Sequence, residues 1–461
     1  MGIAAAYMVP HPPLIIPEIG RGEEGQIYQT TEAYEKIAEY VKQCSPDTIV
    51  VISPHQVMYS DYFHIAPGRA AKGDFGRFHA KEVSFAADCD MEFTEKLCAL
   101  AENRGLPAGT EGVREGTLDH GTMVPLYFIN RCFQEYRLVR VGLSGLPLIR
   151  HYELGQCIRE TAHVLNRKTV VIASGDLSHR LKEDGPYGYR AEGPAYDSRI
   201  MDVMGAGAFA ELFGFTEDFC ERAGECGHRS FVMMAGALDG RDVVARRLSY
   251  EGPFGVGYGV CAFEPQGVNP ARRFGTAYVQ QALERMKRQR ETEDAYVRLA
   301  RRTIETYVRT GKVPELPDHL PDEMYRQRAG VFVSIKKDGR LRGCIGTIQP
   351  VQESLAEEIV SNAVSASTRD PRFAPIEAGE LERLTISVDV LGERERINSM
   401  EELDVKRYGV IVTKGHRRGL LLPNLDGVDT VAEQVAIARE KAGIKEQETV
   451  ELERFEVVRH I

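Results

Sequence analysis

Short β-branched runs without polar alternation constrain the fold of the first 264 residues most strongly. Residues 48–52 read Thr-Ile-Val-Val-Ile, which is typical of a strand covered on both faces, as in a parallel sheet flanked by helices. Amphipathic helices alternate with such strands along the chain, and this alternation predicts an α/β fold. The predicted strands are 3–9, 47–53, 62–66, 138–143, 169–174 and 256–263, and the predicted helices include 31–44, 91–103, 151–166, 195–204 and 229–238.

The length of 461 residues predicts two or three domains. The segment 264–274 contains two prolines and a glycine and is the best candidate boundary. A long helix is predicted over 276–310, and the pattern after it changes to hairpins, one of them turning at residues 337–339. We therefore predict an α/β domain over 1–266 and a smaller α+β domain over 285–461.

The net charge and the cysteine content limit the cellular locations and the binding partners that the sequence allows. The net charge of −10 and the pI near 5.8 argue against a nucleic-acid or anionic-membrane partner. No apolar stretch reaches the roughly 18 residues that a membrane span needs. The nine cysteines are odd in number and form no CxxC pair, which favours reduced thiols and a cytoplasmic protein. The sequence leaves the oligomeric state open, and a homo-oligomer is compatible with it.

Three histidines stand just past the carboxyl ends of predicted strands: His11, His55 and His179. A histidine in such a place usually caps a loop or bonds to a neighbouring backbone group. In open α/β sheets, however, ligands bind in the crevice at the carboxyl ends of the strands. Because all three histidines share this position, we expect them to converge on one site.

Two further segments carry groups that bind metals or protons. Asp119 and His120 precede an apolar helix start, and Glu225, Cys226 and His228 stand at the head of another. Imidazole plus carboxylate is the ligand set of non-haem Fe(II) oxygenases, whereas imidazole plus thiolate suits zinc or copper. No HExxH motif and no paired CxxC is present in the sequence, so the familiar zinc spacings do not compete.

Five ordered segments of residues 1–264 carry a family resemblance: HPP, SPH, DHGTMVPL, SGDLSH and ECGHRSFVMMAGAL. They resemble the LigB-type class III extradiol dioxygenases and the related Memo proteins, which implies a mixed sheet flanked by helices. The resemblance implies Fe(II) held by His11, His55 and an acidic residue near the ECG segment. It further implies His179 as the acid/base residue, with His120 close to the substrate. The expected substrates are O2 and a small aromatic compound of the catechol or aminophenol type.

The third ligand is open between two adjacent residues. Extradiol enzymes supply a glutamate, and Memo-like proteins supply a cysteine from a CG-containing segment. Glu225 suits oxygen chemistry, whereas Cys226 matches the Memo pattern through its following glycine. We favour Glu225 for an active dioxygenase. The alternative is a Memo-like metal-binding or redox accessory protein without ring-cleaving activity, in which zinc or copper could replace iron.

The C-terminal half resembles the AMMECR family over about residues 290–461. The segments LRGCIG (341–346), STRDPRFAPI (367–376) and GLLLPN (419–424) carry this resemblance. Arg342 precedes Cys344 closely and could lower the pKa of its thiol, but we favour a buried strand cysteine. A chain with both halves matches the set called AmmeMemoRadiSam, which implies a radical SAM protein as partner. No CxxxCxxC motif occurs in this sequence, so any such cluster belongs to the partner.

Overall fold

The computed structural model describes residues 2–113, 116–425 and 427–461. They form two compact units, Met1–Val279 and Gln280–Ile461, called the N-terminal and C-terminal units below. Each unit has hydrophobic core clusters of its own. Among the described residues, no helix is both long and apolar enough to cross a bilayer.

The N-terminal unit alternates strands and helices, as predicted. Its strands are β1 (Ile3–Val9), β2 (Thr48–Ser53), β3 (Phe63–His64), β4 (Ala70–Phe75), β5 (Ala80–Asp88), β6 (Ala108–Gly109), β7 (Arg137–Gly142), β8 (Thr169–Ser174), β9 (Arg241–Glu251) and β10 (Tyr258–Val268). Its helices are α1 (Pro17–Gly20), α2 (Tyr28–Cys44), α3 (Met91–Asn103), α4 (His120–Asn130), α5 (Leu148–Val164), α6 (Glu192–Ala206), α7 (Glu217–Ala223) and α8 (His228–Ala237), followed by α9 (Phe274–Thr292).

A six-stranded mixed sheet organises this unit, in the order β7-β2-β8-β1-β10-β9. The first four strands are parallel, and β10 and β9 join them in antiparallel fashion. Every residue of β2 and β8 is buried, because one core cluster covers each face of the sheet. The predicted α/β class with a mixed sheet is confirmed.

The strand order explains why distant segments meet. β8 lies between β2 and β1, and all three run in the same direction. Their carboxyl ends therefore reach the same edge of the sheet. His11 follows β1 by two residues, His55 follows β2 by two, and Asp176 follows β8 by two.

The predicted boundary region is more regular than its composition suggests. β10 runs on to Val268, and α9 begins at Phe274. The division between the units, after Val279, falls within α9. The predicted single helix over 276–310 is two helices, because the carboxylate of Asp294 accepts hydrogen bonds from Tyr296 N and Val297 N and so begins a new one.

The C-terminal unit is a smaller α+β unit, as predicted. Its strands are β11 (Val331–Lys337), β12 (Arg340–Gly346), β13 (Leu384–Ile397), β14 (Tyr408–Lys414), β15 (Arg417–Leu421) and β16 (Glu451–His460). Its helices, besides the end of α9, are α10 (Ala295–Thr310), α11 (Asp322–Arg326), α12 (Leu355–Thr368) and α13 (Val431–Lys441). The strands form one antiparallel sheet in the order β12-β11-β13-β16-β14-β15. The predicted turn at residues 337–339 joins β11 to β12, with Asp338 and Gly339 at positive φ.

Candidate metal centre

Two histidines and a cysteine meet at the carboxyl edge of the mixed sheet. His11 Nε2 lies 3.0 Å from His55 Nε2, and the thiol Sγ of Cys226 lies 3.6 Å from His11 Nε2. The three ligand atoms lie within 4.8 Å of one another. His11 is buried, whereas His55 is exposed, so the cluster has one side open to solvent.

Hydrogen bonds fix which nitrogen of His11 faces the cluster. The hydroxyl of Ser174, the last residue of β8, donates to Gly121 O at 2.6 Å. Its oxygen is 2.9 Å from His11 Nδ1 and can therefore accept the Nδ1 proton. This arrangement leaves a lone pair on Nε2, which is the tautomer that binds a metal. Burial, with smaller contributions from His55 and His179, lowers the pKa of His11 well below its usual value.

The distances within the cluster fit a single metal ion. Two nitrogens about 2.1 Å from one ion lie about 3.0 Å apart at a right angle and about 3.4 Å apart at the tetrahedral angle. A nitrogen and a sulfur at about 2.1 and 2.3 Å lie about 3.1–3.6 Å apart over the same angles. The observed separations of 3.0 and 3.6 Å fall in these ranges. In the tautomer of His55 that also leaves a lone pair on Nε2, the two nitrogens repel each other at 3.0 Å, and a cation between them would remove that repulsion.

Cys226 reaches the cluster because two glycines let two loops touch. A Cβ atom added to Gly175 would lie 2.1 Å from the Cα of Gly227, and one added to Gly227 would lie 2.9 Å from the Cα of Gly175. This contact brings the backbone N–H of Asp176 to 3.2 Å from Cys226 Sγ. Burial raises the pKa of the Cys226 thiol well above its usual value. That N–H donor and a bound cation would both favour the thiolate.

Glu225 does not enter the cluster. Its carboxylate accepts a hydrogen bond of 2.5 Å from His228 N and so binds an otherwise free N–H at the start of α8. It lines a separate cavity of about 330 Å³ together with Cys220 and His228. Burial raises the pKa of Glu225 to about 7. The geometry therefore favours Cys226 over Glu225 as the third group beside the two histidines.

His228 also points elsewhere. It is buried, and its Nε2 donates to Leu212 O at 3.0 Å. Its Nδ1 lies 3.3 Å from the hydroxyl of Tyr196 and can accept from it. His228 therefore has a structural role in supporting α8.

His179 and Asp176 form a second group of polar side chains, which lies beside the cluster of His11, His55 and Cys226. Their side chains and Cys226 have ligand atoms within 4.8 Å of one another. His179 Nε2 and His11 Nε2 each lie 3.9 Å from Asp176 Oδ2, and the ring of His179 stacks on Tyr187 with centroids 5.1 Å apart. Burial raises the pKa of Asp176 and lowers that of His179. The pair can hold or pass a proton beside the cluster.

His120 lies on the other side, beside His55. The two ring centroids are 3.9 Å apart. His120 is the first residue of α4, and Asp119 caps that helix by accepting from Thr122 N. Burial, followed by the neighbouring His55 and His11, lowers the pKa of His120 to about 3. His120 is thus a neutral imidazole next to the open face of the cluster.

Sequence reasoning missed the groups that hold the cluster together. Ser174 orients His11, and Gly175 and Gly227 allow the loops to touch. The only sequence signal for them is the position of small residues directly beside the polar ones, in Ser-Gly-Asp and Glu-Cys-Gly.

The fold and this cluster define a mixed-sheet α/β protein with a candidate metal centre at the carboxyl ends of its parallel strands. The chain belongs to the LigB family, described as the catalytic LigB subunit of aromatic ring-opening dioxygenase, which matches residues 5–261. The family described as AMMECR1 matches residues 297–460. The suspected fusion of these two families is confirmed.

Relatives extend over the whole chain or over one half of it. A protein of Clostridium acetobutylicum is 42% identical over 473 residues, covering 100% of this chain and 99% of its own length. A protein of Thermotoga maritima is 52% identical over 170 residues, 36% of this chain and 98% of its own length. Among solved structures, an uncharacterized protein of Escherichia coli K12 matches 56% of this chain and 99% of its own at 15% identity, with a TM-score of 0.40.

Proposed function

We propose that the N-terminal unit binds one redox-active metal ion through His11, His55 and Cys226 and serves as a Memo-like metal-binding redox protein. The observation that carries the proposal is the position of Cys226 Sγ, 3.6 Å from His11 Nε2. The carboxylate of Glu225 instead binds a helix N–H. A site with two imidazoles and a thiolate differs from the two-histidine, one-carboxylate triad of non-haem Fe(II) oxygenases.

Iron and copper are the ions that fit the proposal. Imidazole binds both, and a thiolate raises the preference for copper(I) and zinc. A bound iron or copper ion would supply one-electron chemistry with oxygen or with a partner. The surrounding residues prepare the site: Ser174 sets the tautomer of His11, and the N–H of Asp176 stabilises the sulfur. The proposed partner is a radical SAM protein, which the resemblance of the two halves to the AmmeMemoRadiSam set implies. Any iron–sulfur cluster would belong to that partner, because this sequence has no CxxxCxxC motif.

A metal titration tests this function. The full chain, stripped with a chelator under anaerobic conditions, is titrated with Fe(II), Cu(I) and Zn(II), and bound metal per chain is measured. We expect one equivalent of iron or copper, protection of Cys226 from alkylation, and no ring-cleavage product with catechols and aminophenols. Failure of both iron and copper to bind stoichiometrically would overturn the proposal, and so would binding of zinc alone, because zinc has no redox chemistry.

A second function, the Fe(II)-dependent extradiol dioxygenase, is favoured by the positions of His179 and His120. Both imidazoles stand beside the cluster, where a base and a hydrogen-bonding group for a hydroxylated aromatic substrate would be needed. The carboxylate of Asp176, 3.9 Å from His179 Nε2, can orient the ring or share its proton. Oxygen uptake with ring cleavage in the same titration would establish this function over the first.

His179→Ala separates proton transfer from metal binding. We expect this variant to keep one metal per chain, because His11, His55 and Cys226 are untouched. If the chain cleaves a catechol, the variant should be slower by roughly 10²–10⁴, the usual cost of losing a general base. Metal content and single-turnover rates provide the measurement. Loss of the metal from His179→Ala would instead make this residue a ligand.

A further inference from the structure

In the C-terminal unit, α10 and α12 pack on one face of the strands β11, β12 and β13. Val331, Val333 and Ile335 of β11 point to this face, where they belong to the core formed with α10 and α12. Successive side chains of a strand alternate between faces, so Ser334 points away from that core. Across the strands, Ser334 pairs with Cys344 of β12 and with Ser387 of β13. The face away from the core thus carries a polar patch that contains a thiol.

This patch is the floor of a cavity of about 810 Å³. Apolar side chains form much of its lining, namely Phe332, Leu341, Leu420, Leu421, Leu422 and Leu425. Ser334 Oγ donates to Cys344 Sγ at 3.2 Å, and Asp370 accepts from Cys344 N at 2.8 Å. The size and the mixture of apolar walls with a few polar groups are those of small-molecule sites in proteins.

The charges around the cavity favour an anion. Arg459 pairs with Asp389 at 2.7 Å, and Arg372 pairs with Asp370 at 2.7 Å. The remaining lining cations are Lys336 and Lys441. No carboxylate among the residues that the structure describes forms an ion pair with Lys441. Burial is the largest cause of a lowered pKa of this lysine, which Cys344 raises and Arg372 lowers further. Lys441 therefore faces the cavity as a cation that a ligand can neutralise.

We propose that this cavity binds a small organic anion with an apolar body, its charge at Lys441 and its body against the leucine walls. The polar floor places Cys344 beneath the ligand, where a bound molecule covers the thiol. Arg372 lies next to this position, since its guanidinium donates to Cys344 O at 3.3 Å. The site belongs to the C-terminal unit alone and does not depend on the metal centre.

Protection of Cys344 from alkylation tests the proposal on the full chain. The probes are octanoate, octanol and inorganic phosphate, and carbamidomethylation of each cysteine by iodoacetamide is followed by peptide mass spectrometry. We expect octanoate to slow modification of Cys344 at least about fivefold at saturation, with octanol and phosphate far less effective. In Lys441→Gln the octanoate concentration for half-protection should rise about tenfold, the cost of one charge-assisted hydrogen bond.

Lys445→Gln is the matched control, because this exposed lysine lies four residues further on and outside the cavity. It should leave the half-protection concentration unchanged. Leu341→Asp should also weaken the binding of octanoate, since it places a negative charge on the exposed apolar wall of the cavity. Equal protection by octanol or phosphate would overturn the proposal, as would an octanoate response that Lys441→Gln leaves unaltered.

Discussion

Cys226→Ser is expected to lower metal affinity by more than about 100-fold, because loss of a partner one layer outside the ligands already costs 10–100-fold. A serine hydroxyl is a poor ligand for iron or copper at neutral pH, and His11 and His55 alone leave the ion weakly held. The fold should survive, since a hydroxyl can still accept the N–H of Asp176. Metal per chain after equilibrium dialysis against a chelator of known affinity measures the effect.

Two variants control this experiment. Cys220→Ser removes a thiol of α7 that lines the separate cavity and should bind metal normally. Glu225→Gln keeps an oxygen that can accept from His228 N, so α8 should start as before and metal binding should persist. The opposite pattern would be loss of the metal in Glu225→Gln and its retention in Cys226→Ser. That result would make the glutamate the third ligand and would support the dioxygenase function instead.

The central strands could be predicted from the sequence because each consists of a continuous apolar run, which indicates burial without any knowledge of distant residues. The predicted strands 3–9, 47–53 and 169–174 agree with β1, β2 and β8 to within one residue. β9 at the sheet edge was missed, since its run of arginines and exposed positions carries no continuous apolar signal. The hairpin of β4 and β5 was also missed, although the alternating exposure along β5 is typical of a half-buried strand.

The site was predictable in outline. Histidines that follow parallel strands reach the same edge of the sheet, and this places His11 and His55 together although β8 lies between their strands. The choice between Glu225 and Cys226 could not be made in the same way. It depends on the direction of the backbone before α8, which the contact between Gly175 and Gly227 sets across 52 residues of sequence. Adjacent side chains point in different directions, and the one that lies beside His11 is the thiol of Cys226.

Gly175→Ala should therefore damage both the stability and the metal centre. The added Cβ would lie 2.1 Å from the Cα of Gly227 and 3.0 Å from its nitrogen. These are backbone atoms, so the two loops must separate, and overpacking of this kind costs typically about 1–3 kcal/mol. Such a loss should lower the unfolding temperature of the N-terminal unit by several degrees, at roughly 2–4 °C per kcal/mol. The separation also moves Cys226 away from His11, which weakens metal binding.

Calorimetry of the full chain measures the unfolding temperature. Added metal identifies the transition that belongs to the N-terminal unit, because a ligand of the folded state raises its unfolding temperature. Gly25→Ala is the matched control, because nothing lies within 4 Å of a Cβ added there, and it should change the free energy of unfolding by less than about 0.5 kcal/mol. Cys226→Ser separates the two effects, since it should remove the metal without the strain. If Gly175→Ala melts and binds metal like the parent chain, the close approach of the two loops is not what positions Cys226.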